Sequence, residues 1–146
     1  MRISSITKNA GKACNNRLYR HIRTFEKIVK NYFVIYTKTF SIYHNEEYKE
    51  KDVDVELCAI VNEIGKGAGN FKFRFTEPVS MMACTMVYGD FSNISYAYRS
   101  FAKWLQENSQ YKMKGSSRQI VHRGPWNEKN PKNYLTELQI PLENLL

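Results

Sequence analysis

The chain has 146 residues, of which 42% are hydrophobic and 25% charged, and a formal net charge of +8 at pH 7. That length and composition support one globular domain with its own core and exclude an intrinsically disordered chain. The three cysteines, Cys14, Cys58 and Cys84, are widely spaced without a CxxC pair, which argues against a thiolate zinc site or a disulfide framework, and no apolar run reaches the length of a membrane span. Free thiols, and a start at Met1-Arg2-Ile3-Ser4-Ser5 without the apolar core of a signal peptide, predict a soluble, cytoplasmic protein.

Residues 2–7 alternate and are rich in Ile, Ser and Thr, which predicts a short strand. Asn9 to Lys30 follows without Pro and with Leu18, Ile22, Phe25 and Val29 at helical spacing, predicting an amphipathic helix whose first turn Gly11 weakens. Positive charge gathers here: residues 1–34 carry eight Arg and Lys against Glu26 alone. The plain reading is a solvated helix face; the other is a surface for a protein partner or for nucleic acid. No helix-turn-helix, zinc finger or aromatic RNA-binding motif accompanies the charge, so no specific nucleic-acid partner is expected. Tyr32–Tyr36 is a β-favouring patch without a clear place.

Thr39–His44 reads as a strand, and Asn45–Asp52 as a charged turn. Val53, Val55, Leu57, Ala59 and Val61 then alternate with Asp54, Glu56, Cys58 and Ile60, predicting a half-buried strand. Gly65-Lys66-Gly67-Ala68-Gly69-Asn70 is a flexible connection; its lysine is misplaced for a phosphate-binding loop. Beyond it, Phe71, Phe73 and Phe75 open a second half, and Pro78 to Tyr88 predicts a long, mostly buried strand. Gly89-Asp90-Phe91-Ser92 is a turn with helix-capping residues, and Ile94, Tyr98, Phe101, Trp104 and Leu105 mark a second amphipathic helix to about Asn108. Ser117–Arg123 and Tyr134–Leu142 form a final hairpin.

The two halves match. Ser41-Ile42-Tyr43-His44 corresponds to Gln119-Ile120-Val121-His122 at an offset of 78, and Glu56 in its strand to Glu137 at an offset of 81. The prediction is an α+β fold, one domain over 1–146, of two βαββ units (about 1–64 and 70–146) that pair with pseudo-twofold symmetry around a central ligand cleft. Glu137 is the sharpest site candidate, because a carboxylate on an apolar strand is costly to bury without compensation. Its plainer reading is a strand glutamate facing solvent. His44 and His122 occupy matching positions, but one histidine per half with no neighbouring ligand residues does not make a metal site.

In this order and spacing, several segments resemble the GyrI-like effector-binding family. They are Ile42-Tyr43-His44 with its acidic turn, Asp52-Val53-Asp54-Val55-Glu56, Tyr88-Gly89-Asp90-Phe91, the helix with Tyr98 and Trp104-Leu105, and Tyr134-Leu135-Thr136-Glu137-Leu138-Gln139-Ile140-Pro141-Leu142. The resemblance covers residues 39–142 well and 2–38 weakly, and Phe91 stands where the family usually has Tyr. It implies a bacterial small-molecule-binding module of the kind found in MerR- and AraC-type multidrug regulators, here standing alone and needing no cofactor. It also implies that Glu137 meets amphipathic, cationic or aromatic compounds. Some stand-alone members that this chain resembles instead hydrolyse cyclopropane-bearing DNA-alkylating toxins with a pocket glutamate, so Glu137 would then be catalytic. A third reading is a protein-binding inhibitor of a DNA-associated enzyme, acting through the basic segment. Trp104 and Trp126 are the expected aromatic walls of the cleft, Trp126 from a Gly-Pro loop as a lid, with Tyr43, Tyr88, Phe91 and Tyr134 as further lining. Each of these aromatics also reads as core packing. Burial among them is expected to raise the pKa of Glu137, and a bound cation to lower it again.

Overall fold

The alternation in Val53–Val61 produces the strand it predicts, and the neighbours of that strand decide how deeply it lies. The structure, a computed structural model, describes residues 4–13, 36–45, 49, 51–61, 66 and 71–146. The chain divides into two compact units, Met1–Pro78 and Val79–Leu146.

In the first unit, β1 (Ser4–Ala13), β2 (Tyr36–Tyr43), β3 (Val53–Val61) and β4 (Lys72–Phe75) pair antiparallel in the order β4-β1-β3-β2. A strand pairs with each edge of β3, and both of its faces are buried: Val55 and Ala59 on one and Cys58 on the other are all 0% exposed. The predicted half-burial is therefore corrected. The predicted helix is corrected over residues 9–13, where β1 continues to Ala13 opposite Val53, with a register shift between Asn9 and Gly11. Helical periodicity starts only at Leu18, so nothing local competes with the ladder to β3 here. The rest of that helix and most of the aromatic patch (14–35), residues 46–48 and 50 of the turn, and residues 65 and 67–70 of the glycine connection lie outside the described residues. Of Phe71–Phe75, predicted to open the second half, Lys72–Phe75 instead pairs with β1, Phe75 opposite Ser4.

In the second unit, β5 (Met82–Tyr88) leads to helix α1 (Asn93–Glu107), then β6 (Tyr111–Met113), β7 (Ser117–Arg123), a 3-10 turn (Pro131–Asn133) and β8 (Leu135–Asn144). β8 lies between β7 and β5, and its last residues pair with β6. Along β8 the buried residues Thr136, Leu138 and Ile140 alternate with the half-buried Glu137 and Gln139. The helix covers the former face: the Tyr98 hydroxyl hydrogen-bonds Ser117 Oγ at 2.7 Å, and Ser117 shares the side of β7 that carries Gln119, opposite Leu138. The turn into α1 needs Gly89 at φ 89°, where a Cβ would sit 2.8 Å from Asn93 Nδ2. The N-cap residue Ser92 makes no side-chain capping bond; Asp90 Oδ1 instead accepts the Ser92 N–H at 2.9 Å, closing the turn that leads into the helix.

β5 corrects the prediction of a long buried strand. It spans seven residues, of which Val87 alone is buried, because β5 pairs with β8 on one side only among the described residues. β6 was not predicted; three residues carry too little pattern to read. The chain is thus α+β with antiparallel pairing and one helix among the described residues, and no helix among them is long and apolar enough to cross a membrane.

Candidate functional site

Residues directly opposite one another in an antiparallel pair share a face. Glu137 is opposite Ile120 on β7 and Met86 on β5; the next row is Arg118, Gln139 and Cys84. Tyr88, opposite Leu135, continues the same face. Glu137 therefore stands on the side of the sheet turned away from α1. The register shift between Val121 and Arg123 brings His122 to it, with Nε2 2.8 Å from Oε2, and the Gln139 amide donates to Oε1 at 2.6 Å. An ionised carboxylate only accepts, so the imidazole donates here. The Glu137 side chain keeps 19% of its surface exposed, enough for a ligand to reach an oriented carboxylate. Its charge is felt by Cys84, whose thiol pKa is raised first by burial and then by Glu137.

The first unit repeats the corner with a different partner. Ile42 is opposite Glu56, as Ile120 is opposite Glu137, and His44 Nε2 lies 3.0 Å from Glu56 Oε2. There Arg74 on β4 adds a two-pronged contact, Nε to Oε1 at 2.8 Å and Nη2 to Oε2 at 2.7 Å. The hydrogen bond to Glu56 raises the Arg74 pKa, against a lowering by burial. The histidines and glutamates noted separately in sequence are thus pairs, one in each unit.

The predicted aromatic walls do not surround Glu137. Trp104 projects from α1 on the other side of the sheet, stacked with Phe101 and with Tyr111 at ring-centroid distances of 6.0 and 5.4 Å. Trp126 is half-buried and lies over Gly124, where a Cβ would come within 3.1 Å of its ring. It packs its own loop. Phe91 and Tyr134 pack against each other, tilted by 37° with ring centroids 5.2 Å apart, and Tyr134 is only 6% exposed. Tyr43 belongs to the first unit, buried opposite Val55. Among these aromatics Tyr88, 66% exposed, shares the face of Glu137. Met86, Cys84, His122 and Gln139 complete that face and were missed as site residues, although the two-residue period of Cys84, Met86 and Tyr88 was legible. Each His–Glu pair offers two donors, and among the described residues no group of three His, Cys, Asp or Glu converges as a metal site.

A different opening lies between α1 and the sheet, a cleft of about 620 Å³ lined by residues of β5, α1 and β8 that include Thr85, Ala97, Trp104, Leu138 and Ile140.

Solved structures share this fold. The crystal structure of the EcmrR C-terminal domain matches with a TM-score of 0.87 and 26% identity over 98% of this chain and 92% of that one. EcmrR in a cryo-EM complex with DNA matches with a TM-score of 0.88 and 26% identity, and there the chain spans 55% of EcmrR. A hydrolase from Listeria innocua matches with a TM-score of 0.66 at 9% identity, over 97% of this chain and 88% of that one, which is a likeness of fold alone. No protein-family model and no curated protein sequence matches the chain.

Proposed function

We propose that the chain is an effector-type binding module that captures amphipathic cationic or aromatic small molecules on the sheet face around Glu137, to sense or sequester them. The observation that carries this reading is a partly exposed carboxylate held in place by His122 and Gln139 beside the exposed Met86 and Tyr88. A soft thioether and an aromatic ring supply apolar contact, and the carboxylate supplies a fixed charge. The matched corner of the first unit supports it, because there the carboxylate holds a guanidinium of its own chain. That correspondence also supports a duplicated βαββ origin. The fold shared with the EcmrR C-terminal domain is consistent with a regulator's ligand-sensing domain.

The test uses an aromatic quaternary ammonium and its neutral carbon isostere in calorimetric titrations. Glu137→Gln keeps the shape and removes the charge. Affinity for the cation should fall about tenfold or more, since a charge-assisted contact contributes on the order of 1.5–3 kcal/mol. The isostere should lose far less. Equal cation affinity in both proteins would remove Glu137 as the anchor.

A hydrolase acting on strained cyclopropane-type electrophiles is a second reading, favoured by the 2.8 Å His122–Glu137 pair. A carboxylate oriented by an imidazole is suited to direct a water as general base. Turnover of such a compound, lost in Glu137→Gln, would put this reading first. The protein-partner reading concerns residues 1–34, most of which lie outside the described residues.

A further inference from the structure

We propose that the cleft between α1 and the sheet is a second binding site, for a neutral, flat aromatic molecule. It does not depend on the reading of Glu137, which occupies the opposite face of β8.

The cleft exists because both walls are built from small residues. Ala83 and Thr85 on β5 face Ala97 and Ser100 on α1, and the floor is Leu138 and Ile140, 1% and 2% exposed. Its volume of about 620 Å³ falls within the range of roughly 300–1,000 Å³ typical of small-molecule sites. The aromatic end is arranged before any ligand arrives. Trp104 stacks with Phe101 and with Tyr111 at interplanar angles of 20° and 17°, so its ring is held in place and a ligand meets it without ordering a mobile side chain. At the other side Tyr96 stands 61% exposed, with the Arg99 guanidinium 5.5 Å from its ring centre.

Large apolar side chains left in water are informative when they converge. Tyr96 and Trp104, at 61% and 37% exposure, both border this cleft. Every residue of its lining is uncharged at neutral pH. An ion would lose its hydration there and gain no counter-charge from the walls, so the occupant is neutral. Its polar demands are small, met by the hydroxyls of Thr85 and Ser100.

The test is a fluorescence titration with Nile red, a neutral flat dye. Saturable binding at one dye per chain is expected. Ala97→Phe fills the cleft and should weaken binding at least tenfold. Ser100→Lys, at an exposed helix position, places a charge at the mouth and should have the same effect, keeping the test decisive if Ala97→Phe does not fold. A saturating aromatic ammonium should leave the dye in place. Non-saturating binding, indifference to both substitutions, or displacement by the cation would each overturn the proposal. Failure of the cation to bind at all would count against the Glu137 reading and leave this one standing on the dye.

Discussion

The corner around Glu56 and the corner around Glu137 use the same parts to different ends. Each has an Ile opposite the glutamate and a His two residues on, at 3.0 and 2.8 Å from the carboxylate. At Glu56 the strand is buried on both faces and a guanidinium grips both carboxylate oxygens, leaving the glutamate side chain 12% exposed. At Glu137 the strand has one buried face, and an amide and an imidazole orient the carboxylate toward a half-open surface. The first arrangement serves stability. The second leaves room for binding. The difference is made by what lies beside the hairpin rather than by the hairpin.

Core truncation should separate the two regions most strongly. Leu57 and Leu138 are matched and each 1% exposed. Leu57 lies on a strand buried on both faces, so Leu57→Ala should cost about 3–5 kcal/mol, while Leu138 borders the helix-side cleft, where neighbours can relax, and Leu138→Ala should cost about 2–3 kcal/mol. Urea denaturation with unchanged m-values measures both. Equal costs would mean that the cleft gives Leu138 no freedom to relax.

Removing the guanidinium should come next. Arg74→Met leaves a largely buried Glu56 without its two-pronged partner, and destabilisation of about 1–3 kcal/mol is expected, below the value for a fully buried pair because Arg74 is 37% exposed. A melting temperature equal to that of the parent would show that Glu56 is held without the guanidinium.

These contrasts were only partly legible in the sequence. The hairpins were, because period-two alternation in Val53–Val61 is strong and Ser117–Arg123 and Tyr134–Leu142 are bounded by turn residues. The depth of a strand was not: β3 and β5 both look apolar, yet one is flanked on both sides and the other on one, a matter of strand order that local pattern does not encode. The His–Glu pairs were hidden for a related reason. Their members lie 12 and 15 residues apart across loops of different length, so register alone brings them together. Arg74 was hidden further still, because β4 was expected to open the second half and instead borders the first. Trp104 and Glu137 were grouped by chemistry, and the alternation of β8 puts them on opposite sides of the sheet.

Alkaline pH should weaken the second unit through Tyr98. Burial raises its phenol pKa above the ordinary 10.0, partly offset by hydrogen bonds to Ser117 and Gln119. The sign follows: the fold favours the neutral phenol, so its contribution is whole below about pH 10, the unfolded-state value, and is lost as pH climbs through the raised folded-state value. Tyr98→Phe should lose about 1 kcal/mol near neutrality with the Ser117 hydrogen bond and show a flatter alkaline branch. Identical alkaline branches in the two proteins would mean that Tyr98 does not titrate with unfolding.

The smallest effect reports most directly on the charge of Glu137. Cys84 is exposed and two residues along β5 from Met86, the residue opposite Glu137, whereas Cys58 is buried. In a Cys14→Ser background, iodoacetamide should therefore modify Cys84 first. Only the thiolate reacts, and the Glu137 charge raises the Cys84 pKa in addition to burial. Replacing Glu137 by Gln removes that contribution, so alkylation at pH 8 should quicken about twofold, the scale of a single charge screened at a partly exposed site. The two rates should converge at a pH high enough to ionise the thiol fully, where the carboxylate no longer controls the thiolate fraction. Rates that stay apart there would indicate altered access. Equal rates at pH 8 would mean that the carboxylate is neutralised before any ligand arrives, and the contrast between the open Glu137 corner and the sealed Glu56 corner would not hold in solution.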